Sequence, residues 1–381
     1  MIRRCLSTVR TKGALVTWGD GFHTQLGHKS ASKLYRPTVV EGVSAVDIFA
    51  GPRHTLVLTP EGRMVGFGDN EFGQVGSGDS AEVGTPKAVV ELAKVKKAAC
   101  GMNYSLAVTE EGDLYHWGYT GKGPSFFARL LSRKRPKDTI HPVPKRHEAL
   151  KSQAIVDVAA GEYHYLALSQ TGEVYSWGDN EYGSCGNGQV LSELPGPEKV
   201  DFFDSLPQGD KVQRIFASGA SSAALTRTGK LYAWGKNEQG QIALSTHEED
   251  YKNRFVVEPL PKKINTGPRA VVELCMGSRT FAFLLEDGSV YIAGLSVWTV
   301  PYKVALADQF QVANVCCGED YFAFVDKKGS VTAYGGPFTG ETDRNDDLPE
   351  GMTVVRAGFF GGKVAKLVGP YDYCSAIVYQ N

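Results

Sequence analysis

The chain has 381 residues, 22% of them charged and 42% hydrophobic, with 44 glycines and a formal net charge of −1. Lys+Arg 41 against Asp+Glu 42 excludes a surface given over wholly to polyanion binding, while leaving room for a local basic patch. The longest apolar runs, such as Ala14 to Trp18 and Phe281 to Leu285, fall far short of the roughly 20 residues a membrane-spanning helix needs, and seven cysteines without a C-x-x-C pair fit neither a disulfide framework nor a zinc site. They read as small core residues in a reducing compartment.

Residues 1–12, MIRRCLSTVRTK, carry Arg3, Arg4, Arg10 and Lys12, and the first acidic residue is Asp20. As a helix this segment would put Ile2, Cys5, Leu6 and Val9 on one face. An amphipathic, Arg-rich, acid-poor start is the pattern of a mitochondrial presequence, and a basic tail is the alternative for the same composition.

A folded pattern begins at Gly13, five residues before Trp18-Gly19. Six units then follow, each with two landmarks. An opening glycine leads an apolar segment at Gly51, Gly101, Gly161, Gly219, Gly277 and Gly318. An aromatic-Gly pair closes the unit at Phe67-Gly68, Trp117-Gly118, Trp177-Gly178, Trp234-Gly235, the degenerate Ala293-Gly294, and Tyr334-Gly335. The spacing between landmarks is 17, 17, 17, 16, 17 and 17, with a turn glycine five residues before each aromatic position. Each unit is therefore a hairpin whose turn uses a glycine at positive φ.

After the second unit, Ala128 to Lys151 forms a basic insertion. It holds Arg129, Arg133, Lys134, Arg135, Lys137, Lys145, Arg146 and Lys151 against Asp138 and Glu148, with Pro136, Pro142 and Pro144 discouraging regular structure. Such a concentration of charge suits an RNA backbone or an acidic protein. A solvated loop is the bland reading, because no stacking aromatics are interleaved with the charges beyond Phe126 and Phe127.

The chain ends in a first half alone. Val364 to Val378 resembles Val312 to Val325, which makes Gly369 the seventh opening glycine; Gly358 competes for that place, but no comparable apolar strand follows it. Six units and two complementary halves make seven, and the economical closure is a ring whose last blade takes strands from both halves.

At these residues the chain resembles the regulator of chromosome condensation family. The repeat signature stands in Gly172-Glu173-Val174-Tyr175-Ser176-Trp177-Gly178-Asp179-Asn180-Glu181-Tyr182-Gly183, and again from Gly68 to Gly76. The resemblance implies an all-β fold, a seven-bladed β-propeller of four-stranded antiparallel blades. It leaves function open, since this propeller hosts nucleotide exchange on small GTPases, chromatin binding, ubiquitin-ligase modules and organelle assembly factors.

The family often presents a histidine three residues after the opening glycine. Here that position is histidine only at His54 and His164, and otherwise Tyr104, Ser222, Thr280, Tyr321 and, by the alignment of the last half-unit, Tyr373, four residues after Gly369. These two histidines are possible face residues, with the alternative that each satisfies backbone groups where blades meet. No metal or hydrolase spacing accompanies them, and Gly73 to Gly78 lacks the order of a phosphate-binding loop. Trp18, Trp117, Trp177 and Trp234 recur at one repeat position and read as core, whereas Trp298 is off-register.

The expected function is a non-catalytic interaction platform in the mitochondrial matrix, without cofactor or metal. It would assemble or stabilise a large complex such as the mitochondrial ribosome, with protein partners and RNA at the basic insertion. The alternative is a guanine nucleotide exchange factor with a GTPase partner. A chromatin or ubiquitin-ligase module would instead require a nuclear or cytoplasmic location.

Overall fold

In the computed structural model, the residues described are 13–119, 140–244, 257–306, 310–335, 342–344, 352–355, 360, 362–369, 371 and 373–379. Residues 1–12 lie outside them, as do Arg129, Arg133, Lys134, Arg135 and Lys137.

The strands form seven antiparallel sheets. Blade one comprises Asp47–Ala50, His54–Leu58, Met64–Gly68 and Val83–Ala88. Blades two to six repeat the order, with inner strands Val95–Cys100, Ile155–Ala160, Val212–Ser218, Val271–Met276 and Val312–Cys317. Blade six carries a fifth strand, Thr342–Arg344, outside Met352–Val355. Blade seven takes Lys363–Val368 and Tyr373–Tyr379 from the end of the chain, and Gly13–Gly19 and Leu34–Ala45 from its beginning. Trp18 pairs with Cys374 across this seam. Consecutive inner strands touch all the way round, the seventh meeting the first, so the sheets close into the propeller.

Local chemistry explains why the unit repeats. At the hairpin turn of blade three, Gly172 has φ +90 and its amide donates to Ser169 O at 3.0 Å, a left-handed position where side chains are strained. At Gly178 an added Cβ would meet Tyr163 O at 2.5 Å, which keeps that place in the aromatic-Gly pair free of a side chain. In the signature's Asn, the side chain caps the following bend: Asn70, Asn180 and Asn237 accept from the amides of Val75, Cys185 and Ile242.

The core is divided rather than central. The described residues contain a separate apolar cluster at each of the seven blade junctions. Tryptophans wedge into them: Trp117 and Trp234 are fully buried and donate Nε1–H to Gln74 O at 2.9 Å and Ser184 O at 2.8 Å on the preceding blade. Trp298 begins the outer strand of blade five, half-buried against Phe322 and Tyr334 of blade six.

The outer strand of blade two, Ile140–Arg146, falls within the segment whose prolines suggested irregular structure. Pro142 and Pro144 are accommodated because an outer strand pairs on one side only, leaving a row of positions where no amide is needed. Outer strands of other blades also carry proline, at Pro37, Pro86, Pro195, Pro197, Pro259, Pro261 and Pro301, which discourages edge-to-edge pairing.

Candidate functional site

One face of the ring is built from the short turns that follow the inner strands. Each begins at an opening position, and there the structure corrects the sequence reading of blade four. Ser221, not Ser222, stands opposite Gly235, the place that His54 holds opposite Gly68 and His164 opposite Gly178. Ser218 pairs with Ser221, so the opening residue is Ser218 and Gly219 follows it. Counted from Ser218, the spacing of 16 becomes the usual 17.

Steric reasons tie the two positions together. An added Cβ on Gly161 would lie 2.1 Å from the His164 ring, and one on Gly318 1.7 Å from the Tyr321 ring. In blades two, three and six the large residue three places on thus folds over the opening Cα and demands glycine there. Blade four puts the small Ser221 in that place, and Ser218 is tolerated.

The large residues are struts between blades. His54 Nε2 lies 2.7 Å from Ser105 Oγ, and His164 Nε2 2.7 Å from Ser222 Oγ. Both serines spend their hydroxyl proton on the carbonyls of Gln74 and Ser184, so each histidine is the donor. Tyr104 donates to His164 O at 2.6 Å, Tyr321 to Gly369 O at 2.6 Å, Tyr373 to Gly51 O at 2.8 Å, and Thr280 to Gly318 O. His54 and His164 are therefore buried beneath the face, with exposures of 0% and 1%. Burial lowers the histidines to about 4 and about 3, the nearby Asp69 partly offsetting this for His54.

Blade four lacks such a strut, because Ser221 Oγ donates within its own blade, to Lys236 O at 2.8 Å. A recess of about 490 Å³ lies at this junction, with Ala220 and Ser184 in its lining and Glu162, Asp179, Glu181, Lys236, Arg279 and Glu319 from blades three to six around it. Four acids face two bases. Glu162 is raised above the ordinary carboxylate value by burial first, then by Glu319 and Asp179, against the pull of Lys236. Lys236 pairs with Glu238 at 2.9 Å and lies 4.7 Å from the centre of the Tyr182 ring. Burial holds the phenol of Tyr371, of blade seven, well above its ordinary range.

A second feature escaped the sequence reading. Seven residues before His54, Tyr104, His164, Ser221, Thr280, Tyr321 and Tyr373 stand Asp47, Lys97, Asp157, Arg214, Glu273, Asn314 and Lys366, one per blade. They form a belt of neighbours: Lys366 with Asp47, Lys97 with Asp157 at 3.9 Å, and Arg214 with Glu273 at 3.1 Å. Asn314 accepts from the Leu367 amide at 3.2 Å. The signal was the repeat position itself, with opposite charges alternating from one unit to the next.

Of the basic insertion, Lys145, Arg146 and Lys151 fall among the described residues, and all three are exposed. Arg146 pairs with Asp113, and Lys151 with Glu148 at 2.9 Å. Beside them His116 packs against His147 and His141, with ring centroids 4.9 and 6.4 Å away. Burial, then His147, His141 and Lys145, lower His116 to about 3. Among the described residues no three His, Cys, Asp or Glu side chains gather to hold a metal ion.

The profile of the Regulator of chromosome condensation (RCC1) repeat matches residues 12–58, 61–108, 171–225 and 228–284, and a second form of it matches 45–74, 155–184 and 212–241. The ultraviolet-B receptor UVR8 of Arabidopsis thaliana is 28% identical over 329 residues, 84% of this chain and 72% of its own. The probable E3 ubiquitin-protein ligase HERC6 of Homo sapiens is 30% identical over 310 residues, covering 77% of this chain, which spans only 29% of HERC6. Two solved structures share the fold: yeast RCC1 (Prp20) bound to Kap60, with TM-score 0.78, 20% identity and coverage of 97% and 90%, and human WBSCR16, with 0.74, 21%, 97% and 99%.

Proposed function

The chain belongs to the regulator of chromosome condensation (RCC1) repeat family, and from that premise we propose that it is a non-catalytic interaction platform using the face around blade four. The observation that carries this reading is the recess where the interblade strut is missing, with the raised carboxyl of Glu162 among like charges. A basic side chain from a protein partner would relieve that repulsion on entry, a gain available only in the complex. The struts His54 and His164 are committed to holding blades together, which argues against their acting as acid or base.

The remaining basic surface extends the proposal. The insertion from Ala128 to Lys151 offers charge for an RNA backbone or an acidic partner, and a particle of RNA with basic proteins would engage both regions. With the presequence-like residues 1–12, this favours a mitochondrial assembly role, the mitochondrial ribosome first among candidates.

Affinity purification of the tagged full chain from mitochondria, followed by mass spectrometry, tests this. Glu162→Lys is expected to lose the protein partner at unchanged melting temperature. Changing Arg133, Lys134, Arg135, Lys145 and Arg146 to Glu is expected to lose an RNA-containing particle, whose association also weakens steeply with salt. The alternative is nucleotide exchange: Prp20p, which shares the fold, was characterised for its binding to Gsp1p and histones. Accelerated nucleotide release from a GTPase at low protein ratio, unaffected by either set of substitutions, would overturn the platform in its favour. A full-length fusion found in the nucleus would overturn the location.

A further inference from the structure

The inner strands of blades five and six bring two thiols face to face. Cys275 stands two residues before the opening Gly277, and Cys317 one residue before Gly318. At two junctions, the residue just before an opening position meets the residue two before the opening position of the preceding blade. Cys100 Sγ thus donates to Phe49 O at 3.3 Å, and Cys317 Sγ donates to Cys275 O at 3.5 Å. At blade five the residue so faced is itself a cysteine, and the Cys317 amide donates to its sulfur at 3.3 Å. Both are free thiols; Cys317 is buried and Cys275 half-buried, so one of the pair meets solvent.

The environment also separates their reactivity. Hydrogen bonding from Cys316 first, then from Cys317, holds the Cys275 sulfur below the usual thiol range despite burial. Burial first, then the neighbouring Cys275 sulfur, hold Cys317 well above that range. A low, partly accessible thiol beside a second thiol is the arrangement that reacts with peroxide and then resolves.

We propose that Cys275 and Cys317 are a hydroperoxide-sensitive pair whose disulfide joins blade five to blade six. The Cys275 thiolate attacks one peroxide oxygen; an S–O bond forms, the O–O bond breaks, and the leaving hydroxide takes a proton to become water. The Cys317 sulfur then attacks the sulfenic sulfur; the S–S bond forms, the S–O bond breaks, and the displaced hydroxide takes the Cys317 proton as a second water. Two thiols are oxidised and one hydrogen peroxide is reduced. Ser278, Arg279 and Glu319, which line the recess, follow directly on these strands, so the cross-link fixes the spacing of two of its walls.

The test is to treat the full-length reduced protein with equimolar hydrogen peroxide, block free thiols in denaturant, and map linked peptides by mass spectrometry. The expected result is a loss of two free thiols per chain, reversed by dithiothreitol, with the link between the Cys275 peptide and the peptide of Cys316 and Cys317. Cys275→Ser and Cys317→Ser should each abolish it and Cys316→Ser retain it, the reduced variants being checked for native circular dichroism. Oxidation of Cys275 that stops at sulfinic acid, no linked peptide in the wild type, or a link that survives Cys317→Ser would each overturn the pairing.

Discussion

Lys366 and Asp47 stand 319 residues apart in sequence and form an ion pair between the last inner strand of the ring and the first. Lys97 approaches the same carboxylate from the other side. Burial pushes Asp47 up, but Lys366 and Lys97 outweigh it and hold the carboxyl below its usual value. The seam is thus closed twice, by the strand pairing in blade seven and by the charged belt near the axis.

Lys366→Met is expected to lower stability at pH 7 by about 1 kcal/mol, the scale of a partly exposed pair. A carboxyl held low in the folded state stabilises above its unfolded value and loses that contribution as pH falls through the folded value. The deficit of the variant should therefore shrink in denaturant titrations at pH 3. A deficit of equal size at both pH values would count against the pair.

The histidine struts have the same sign for a different reason. His54 and His164 are neutral when folded and titrate near the ordinary histidine value when unfolded, so stability is full above about 6.5 and declines down to about 4 for His54 and about 3 for His164. Each contributes a slope of about 1.4 kcal/mol per pH unit in that window. His164→Gln, which keeps a donor towards Ser222, should flatten the acid limb of a melting-temperature profile. An unchanged acid slope would mean that burial does not control this ring.

Blade four offers a paired test of packing. Ser221→His alone would drive a ring into the Ser218 side chain and should destabilise by about 1–3 kcal/mol. Adding Ser218→Gly should recover most of that and build the missing strut. If the single variant is as stable as wild type, the steric link between the two positions is wrong.

Closure of the ring can be tested by truncation. Removing residues 1–19 takes away Gly13–Gly19, which pairs with both Tyr373–Tyr379 and Leu34–Ala45, and should cause aggregation or a large fall in melting temperature. Removing residues 1–12 should leave the melting temperature unchanged. Equal behaviour of the two forms would contradict the seam.

The propeller was legible because its constraints fall on single residue types. Gly172 and Gly178 answer to a positive φ and a close carbonyl, and such demands recur in blades one to six. What escaped depends on relations between blades. Gly219 carries the landmark glycine without holding the opening position, because the small Ser221 tolerates Ser218 there. The belt hid because neighbours require complementary charge rather than the same residue, so Asp157 and Arg214 share a position without sharing a type. The recess follows from a side chain missing at Ser221, and an absence in one repeat gains meaning only beside its neighbours.

The order of synthesis gives the seam a further consequence. Trp18 emerges from the ribosome 356 residues ahead of its partner Cys374. At roughly 5–20 residues per second, the strand Gly13–Gly19 waits for tens of seconds without its partner strand. During that interval the growing chain carries six nascent blades and an apolar strand edge, as it does again if the protein must unfold to cross a membrane. Occupancy of that edge by a holding chaperone, and its release once Tyr373–Tyr379 arrives, would then set the pace at which functional rings accumulate.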